Sequence, residues 1–80
     1  MPGIKVLSGQ KLINIFLLFG FEVSGQKGSH VKLVRYFNQK QECLVVPKHR
    51  ELDRGTTKAI YNQALQYISE SELEPHFYNK

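Results

Sequence analysis

The alternation of apolar and polar positions is sharpest between residues 29 and 37, where Ser29-His30-Val31-Lys32-Leu33-Val34-Arg35-Tyr36-Phe37 reads as a β-strand. Successive side chains of a strand point to opposite faces, so Val31 and Leu33 share one face while His30, Lys32, Val34 and Tyr36 share the other. With Val31 and Leu33 turned to a core, His30 and Lys32 stand exposed together, about 6.6 Å apart along the strand. Upstream, Leu12, Ile15, Phe16 and Phe19 follow the i, i+3, i+4, i+7 spacing and predict a helix from about Gly9 to Phe19. Ser8 suits its N-cap and Gly20 its stop. Ile13, Leu17 and Leu18 fall outside that stripe. A small sheet cannot cover so much of one helix, so the C-terminal tail or a partner protein is expected to take up the remainder.

Phe21-Glu22-Val23-Ser24 alternates strictly and predicts a first strand with Phe21 and Val23 inward, followed by a turn from Gly25 to Gly28. After the second strand, Asn38-Gln39-Lys40-Gln41 is a polar connection of hairpin length. A third strand, Glu42 to Val46, pairs back and ends at Pro47, which has no N–H to donate. Lys48 to Leu52 is a charged loop with one apolar anchor. Asp53 caps a second helix to about Ile68, with Ile60, Ala64, Tyr67 and Ile68 inward. Ser69 to Lys80 is acidic and then aromatic, open to a short helical turn or to a docked aromatic tail. The fold class read from this order is α+β: one domain over residues 1–80 with a tail from about 69, an α-β-β-β-α chain. Its three-stranded antiparallel sheet carries two helices on one face and leaves the other open.

Composition narrows the partners. Eleven Lys and Arg against seven Asp and Glu give a net charge of +4 over 80 residues, which favours a polyanion, nucleic acid before a membrane surface. The one cysteine, Cys43, excludes an internal disulfide, and with three scattered histidines it gives no four-ligand metal spacing, so no cofactor is expected. The apolar run from Leu12 to Phe19 is too short to span a bilayer and has no signal-peptide flanks. A soluble protein of the reducing cytosol is expected.

The chemistry concentrates around Gln26-Lys27-Gly28-Ser29-His30-Val31-Lys32, where a histidine and two cations sit beside a glycine that lets a backbone or ligand come close. Acid-base work on an anion is one reading; a solvated edge-strand histidine with solvated lysines is the plainer one. Ser29 either donates to phosphate or closes the turn. His49 and Lys48 lie in the charged loop, as solvent-exposed groups or as a second acid. Cys43 on the His30 side would suggest a Cys–His pair, but Cys43-Leu44-Val45-Val46 is apolar throughout, which fits an inert, partly buried thiol better.

Ser8-Gly9, Gly20-Phe21-Glu22, Gln26-Lys27-Gly28-Ser29-His30, Val45-Val46-Pro47, His49 and Glu51-Leu52-Asp53-Arg54-Gly55-Thr56 follow one another as in the HicA (YcfA-like) toxin family, which the chain resembles over about residues 1–70. The resemblance implies a fold like the double-stranded RNA-binding domain, a metal-independent mRNA-cleaving activity, a HicB-type antitoxin as partner, and His30 as the catalytic histidine. Lys27, Gly28, Ser29, Lys32, Lys48 and His49 are the accompanying RNA-binding candidates. Histidine suits the task because its ordinary charge change lies near neutral pH, so it can take the proton of an RNA 2′-hydroxyl without a metal. Two positions depart from the family's usual pattern: Gly25 stands where arginine is common and Thr57 where leucine is. A non-catalytic RNA-binding module of the same fold is the rival, although Arg54-Gly55-Thr56-Thr57-Lys58 is a thin version of the lysine cluster such modules use.

Overall fold

The computed structural model describes residues 3–79. In chain order it contains α1 (Gly9–Leu18), β1 (Glu22–Lys27), β2 (His30–Phe37), β3 (Lys40–Pro47), α2 (Arg54–Ala64) and α3 (Glu70–Phe77). The three strands form one antiparallel sheet in the order β1-β2-β3. The sheet face bearing Val31, Leu33, Leu44 and Val46 is buried, and those side chains join Leu12, Ile13, Ile15 and Phe16 of α1 and Ile60, Tyr61 and Ala64 of α2 in one core. This is the α+β arrangement that the hydrophobic pattern predicts, with one helix added, and it is consistent with the RNA-binding-domain-like fold that the family resemblance implies.

The helix caps follow from local chemistry. Ser8 Oγ accepts from the Lys11 N–H at 3.1 Å, and Asp53 Oδ1 accepts from the Thr56 N–H at 2.6 Å. Each satisfies a donor that a helix start leaves without a partner. The Thr56 hydrogen bond also holds the Asp53 carboxyl below the usual carboxylate range. Thr57, where an apolar residue would be ordinary, is fully buried, and its hydroxyl donates to the Asp53 carbonyl at 3.0 Å. At the other end of α1, Gly20 takes a left-handed φ of 92° and stops the helix as expected.

Several expectations are corrected. The first strand does not end at Ser24: it continues to Lys27, through a bulge between Val23 and Gly25, and Lys27 pairs with His30. The turn is therefore Gly28-Ser29 alone, with φ +60° at Gly28, the two-residue type that wants glycine in its first central position. Strand two starts at His30, one residue later than predicted. The second connection is likewise only Asn38-Gln39, both left-handed at φ 52° and 64°, so β3 begins at Lys40. Val23 faces the helix side opposite Leu33 but is 55% exposed, because β1 is an edge strand that the helices do not overhang. Helix α2 ends at Ala64 rather than at Ile68, and a turn leads into α3.

Helix α3 also revises the account of α1. Its Leu73 and Phe77 are fully buried, and Phe77 packs on Phe16 at 6.1 Å and on Tyr61 at 5.1 Å between ring centroids. Of the three residues outside the predicted stripe, Ile13 is buried in the core, while Leu17 and Leu18 stay exposed at 44% and 74%. The segment before α1 is tied to the end of α3 by an Ile4–Tyr78 bridge and by the Lys5 N–H donating to the Phe77 carbonyl at 2.7 Å. Tyr61 donates to Glu70 at 3.3 Å, and burial together with that neighbouring carboxylate pushes its phenol up to about 12.

Candidate nucleic-acid-cleaving site

The register places the open face of the sheet residue by residue. His30 lies between Lys27 of β1 and Pro47 of β3; the next row is Gly25, Lys32 and Val45; the next is Glu22, Val34 and Cys43. Facing residues in an antiparallel pair share a side, so the two lysines and the histidine come from two strands to one surface. His30, Lys27 and Lys32 are all exposed. Together with Ser24, Gly25, Gln26 and Val45 they line a shallow depression of about 240 Å³. Among the described residues the ion pair is Arg35–Glu42, so no carboxylate neutralises Lys27 or Lys32. Two uncompensated cations beside an imidazole make a local site for an anion and for proton transfer.

The other predicted residues do not line that depression. Gly28 and Ser29 form the turn at its end. Ser29 is held from the loop after β3: its carbonyl accepts from the Lys48 N–H at 2.6 Å, and its Oγ lies 3.1 Å from His49 Nε2. His49 is in turn anchored to α1, where its carbonyl accepts from the Gly9 N–H at 2.8 Å. Gly9 is buried against this loop. A β-carbon there would meet the Pro47 carbonyl and lie 2.6 Å from Lys48 Cα, so only glycine lets the helix start this close. Residues 47–49 thus join the start of α1 to the turn that precedes His30. Cys43 is half-buried on the His30 side, one row beyond Lys32 and beside Val34, and has no histidine as its cross-strand neighbour.

Arg35 was not singled out by the sequence pattern, although it determines how the sheet meets the helices. It sits on the helix side of β2, with Nε donating to Glu42 at 2.7 Å and Nη1 and Nη2 donating to the carbonyls of Phe19 and Tyr67 at 2.7 and 3.1 Å. Its guanidinium also stacks over Phe21, 4.8 Å from the ring centroid. One side chain therefore closes the carbonyl ends of both α1 and the turn after α2. The register offered a signal, since Arg35 and Glu42 are cross-strand neighbours, but the two carbonyls are far away in sequence.

Among the described residues, no three His, Cys, Asp or Glu side chains gather as metal ligands would, and no helix is long and apolar enough to cross a membrane. A larger hollow of about 500 Å³ lies on the outer side of α1, lined among others by Lys5, Val6, Lys11, Ile15 and Leu18. It shares no residue with the His30 depression.

A small α+β domain with its helices on one face of a three-stranded antiparallel sheet has a fold like the double-stranded RNA-binding domain. The family model described as the HicA toxin of bacterial toxin-antitoxin matches residues 9–65. The chain belongs to the HicA toxin family. Comparison with curated proteins and with solved structures gave no match.

Proposed function

We propose that this protein is a metal-independent endoribonuclease that cleaves mRNA with His30 as general acid and base, and that a HicB-type antitoxin neutralises it. The observation that carries the reading is the convergence of Lys27, His30 and Lys32 on one depression of the open face, in a chain of the HicA toxin family. In the proposed reaction His30 takes the proton of a ribose 2′-hydroxyl. The 2′-oxygen then attacks the adjacent phosphorus, the P–O5′ bond breaks, and the imidazolium returns its proton to the leaving 5′-oxygen. Lys27 and Lys32 hold the non-bridging oxygens, where negative charge builds in the transition state. His49, 3.1 Å from Ser29 and off the depression, acts on the turn rather than on the leaving group.

The same face is the simplest target for inhibition: an acidic antitoxin lying over Lys27, His30 and Lys32 would exclude RNA by occupying its place. The exposed Leu17 and Leu18 of α1 offer such a partner apolar contact. Induced expression of wild type and His30→Ala tests the enzyme reading directly. Wild type should arrest growth and fragment mRNA; His30→Ala should do neither while folding normally, since truncating an exposed strand residue costs under about 1 kcal/mol. Cleavage retained by folded His30→Ala would overturn the assignment, and RNA binding without cleavage by wild type would favour a non-catalytic module.

A further inference from the structure

Gly25 is a glycine that the backbone does not require. The described glycines with left-handed backbone are Gly20 and Gly28, and Gly25 is not among them. Gly9 is required by contact, but a β-carbon on Gly25 would meet nothing within 4 Å. Glycine inside a strand weakens it and marks either a bulge or a place where a ligand or another backbone comes close; the bulge before Gly25 does not itself call for glycine, since Gly25 is not left-handed. The register shows what the missing side chain leaves open: Gly25 faces Lys32 across β1 and β2, in the row after Lys27 and His30. A side chain there would stand over the depression that these residues line.

We propose that the notch over Gly25 is a subsite for one nucleobase of the RNA strand, next to the phosphate held by Lys27 and Lys32, and that Gly25 is a specificity-determining position. The inference rests on the ribonuclease reading of His30. Its chemistry fits a nucleotide in two parts: unpaired cations for the anion, and for the flat apolar face of a base the exposed Val45 side chain, with polar Ser24 and Gln26 on the rim. The whole depression, with the notch at one end and His30 at the other, is about 240 Å³, smaller than the sites of about 300–1,000 Å³ that enclose a drug-sized ligand, so it has room for one nucleotide rather than a longer segment. The bulge between Val23 and Gly25 is part of the same device, since bulges re-aim side chains beside functional sites.

The test is to prepare the full chain as wild type, Gly25→Ala, Gly25→Val and His30→Ala, and to measure melting temperature and cleavage of single-stranded RNA oligonucleotides that differ only at the nucleotide flanking the cut. Gly25→Val should melt at or above the wild-type temperature, lose at least tenfold in kcat/KM, chiefly through KM, and show a changed preference at the flanking position. Gly25→Ala should show the same trend, more weakly. Unchanged rate and preference in folded Gly25→Val would overturn the proposal. So would a marked fall in melting temperature in both Gly25 variants, because the strand itself would then need the glycine. If His30→Ala still cleaves, the enzyme reading fails separately. The notch is then tested by comparing oligonucleotide binding to His30→Ala with binding to His30→Ala/Gly25→Val, where equal affinities would overturn it.

Discussion

Lys32 and Leu33 are consecutive, yet the first stands in solvent beside His30 and the second is wholly buried among the helices. The two faces of β2 divide the molecule in the same way. On the helix side the partners from Val31 to Arg35 are internal: Val31 and Leu33 pack in the core, and Arg35 donates to Glu42, Phe19 and Tyr67. On the open side the cations lack carboxylate partners and the surface is a shallow depression. The difference teaches that one strand can be rigid because one face is fully satisfied, and chemically available because the other is not.

Paired substitutions test this division most severely. Leu33→Ala should cost about 2–5 kcal/mol through lost burial and a residual cavity, whereas Lys32→Ala should stay within about 0.5 kcal/mol. Thermal melts should separate them by at least about 6 °C, at roughly 4–8 °C per kcal/mol for a domain of this size. Equal melting temperatures would show that the two faces are not distinct in stability. Arg35→Met should cost somewhat less, about 2–3 kcal/mol, because it frees the Phe19 carbonyl at the end of α1 and the Tyr67 carbonyl in the turn after α2, and strands Glu42 half-buried. Calorimetry of that variant, with RNA cleavage measured below its melting point, should show a loss of stability out of proportion to any loss of rate.

Smaller effects belong to the open face. Lys27→Gln and Lys32→Gln should each weaken RNA binding without changing which sequences are cut, and each should lower the slope of log affinity against log salt by about 0.7 for single-stranded RNA. An unchanged slope in both would place the RNA elsewhere. A further effect, away from the open face, concerns Tyr61. Its phenol is raised in the folded chain to about 12 from 10.0, so its contribution is fully present below pH 10 and is lost as pH rises toward 12. Tyr61→Phe should cost about 1 kcal/mol at pH 7 through the lost hydrogen bond to Glu70, and should flatten the alkaline part of the stability curve.

How far the sequence discloses all this depends on whether a signal is local. Period-two alternation in β2 assigns both faces correctly, because parity needs no knowledge of the rest of the fold. Ser8 and Asp53 are readable as caps for the same reason. Val23 misleads because parity gives its side but not whether helices reach over an edge strand. The bulge before Gly25 breaks the alternation that would extend β1 to Lys27, so the pattern alone puts the turn three residues too early. Ile13 lies outside the helical stripe and is nevertheless buried, because the spacing rule gives the centre of the apolar face and not its width. Among the site candidates, Lys27, His30 and Lys32 come together, while Ser29, Lys48 and His49 are drawn to a neighbouring hydrogen-bonded loop. That separation depends on Gly9, forty residues before His49 in the chain, and no spacing rule anticipates it.

The seat of Gly9 on residues 47–49 has a consequence for motion. It closes a long loop, which is entropically dearer than the two-residue turns of the hairpins, so those hairpins can persist while this contact opens. In native-state hydrogen exchange the Gly9 and Lys48 amides, which donate to His49 and Ser29, should therefore exchange through a partial opening, ahead of the amides of central strand β2. Each such opening releases the Gly28-Ser29 turn while leaving the sheet intact. On that expectation His30 sits at the end of the central strand whose outer restraint opens first, while the paired strand behind it holds.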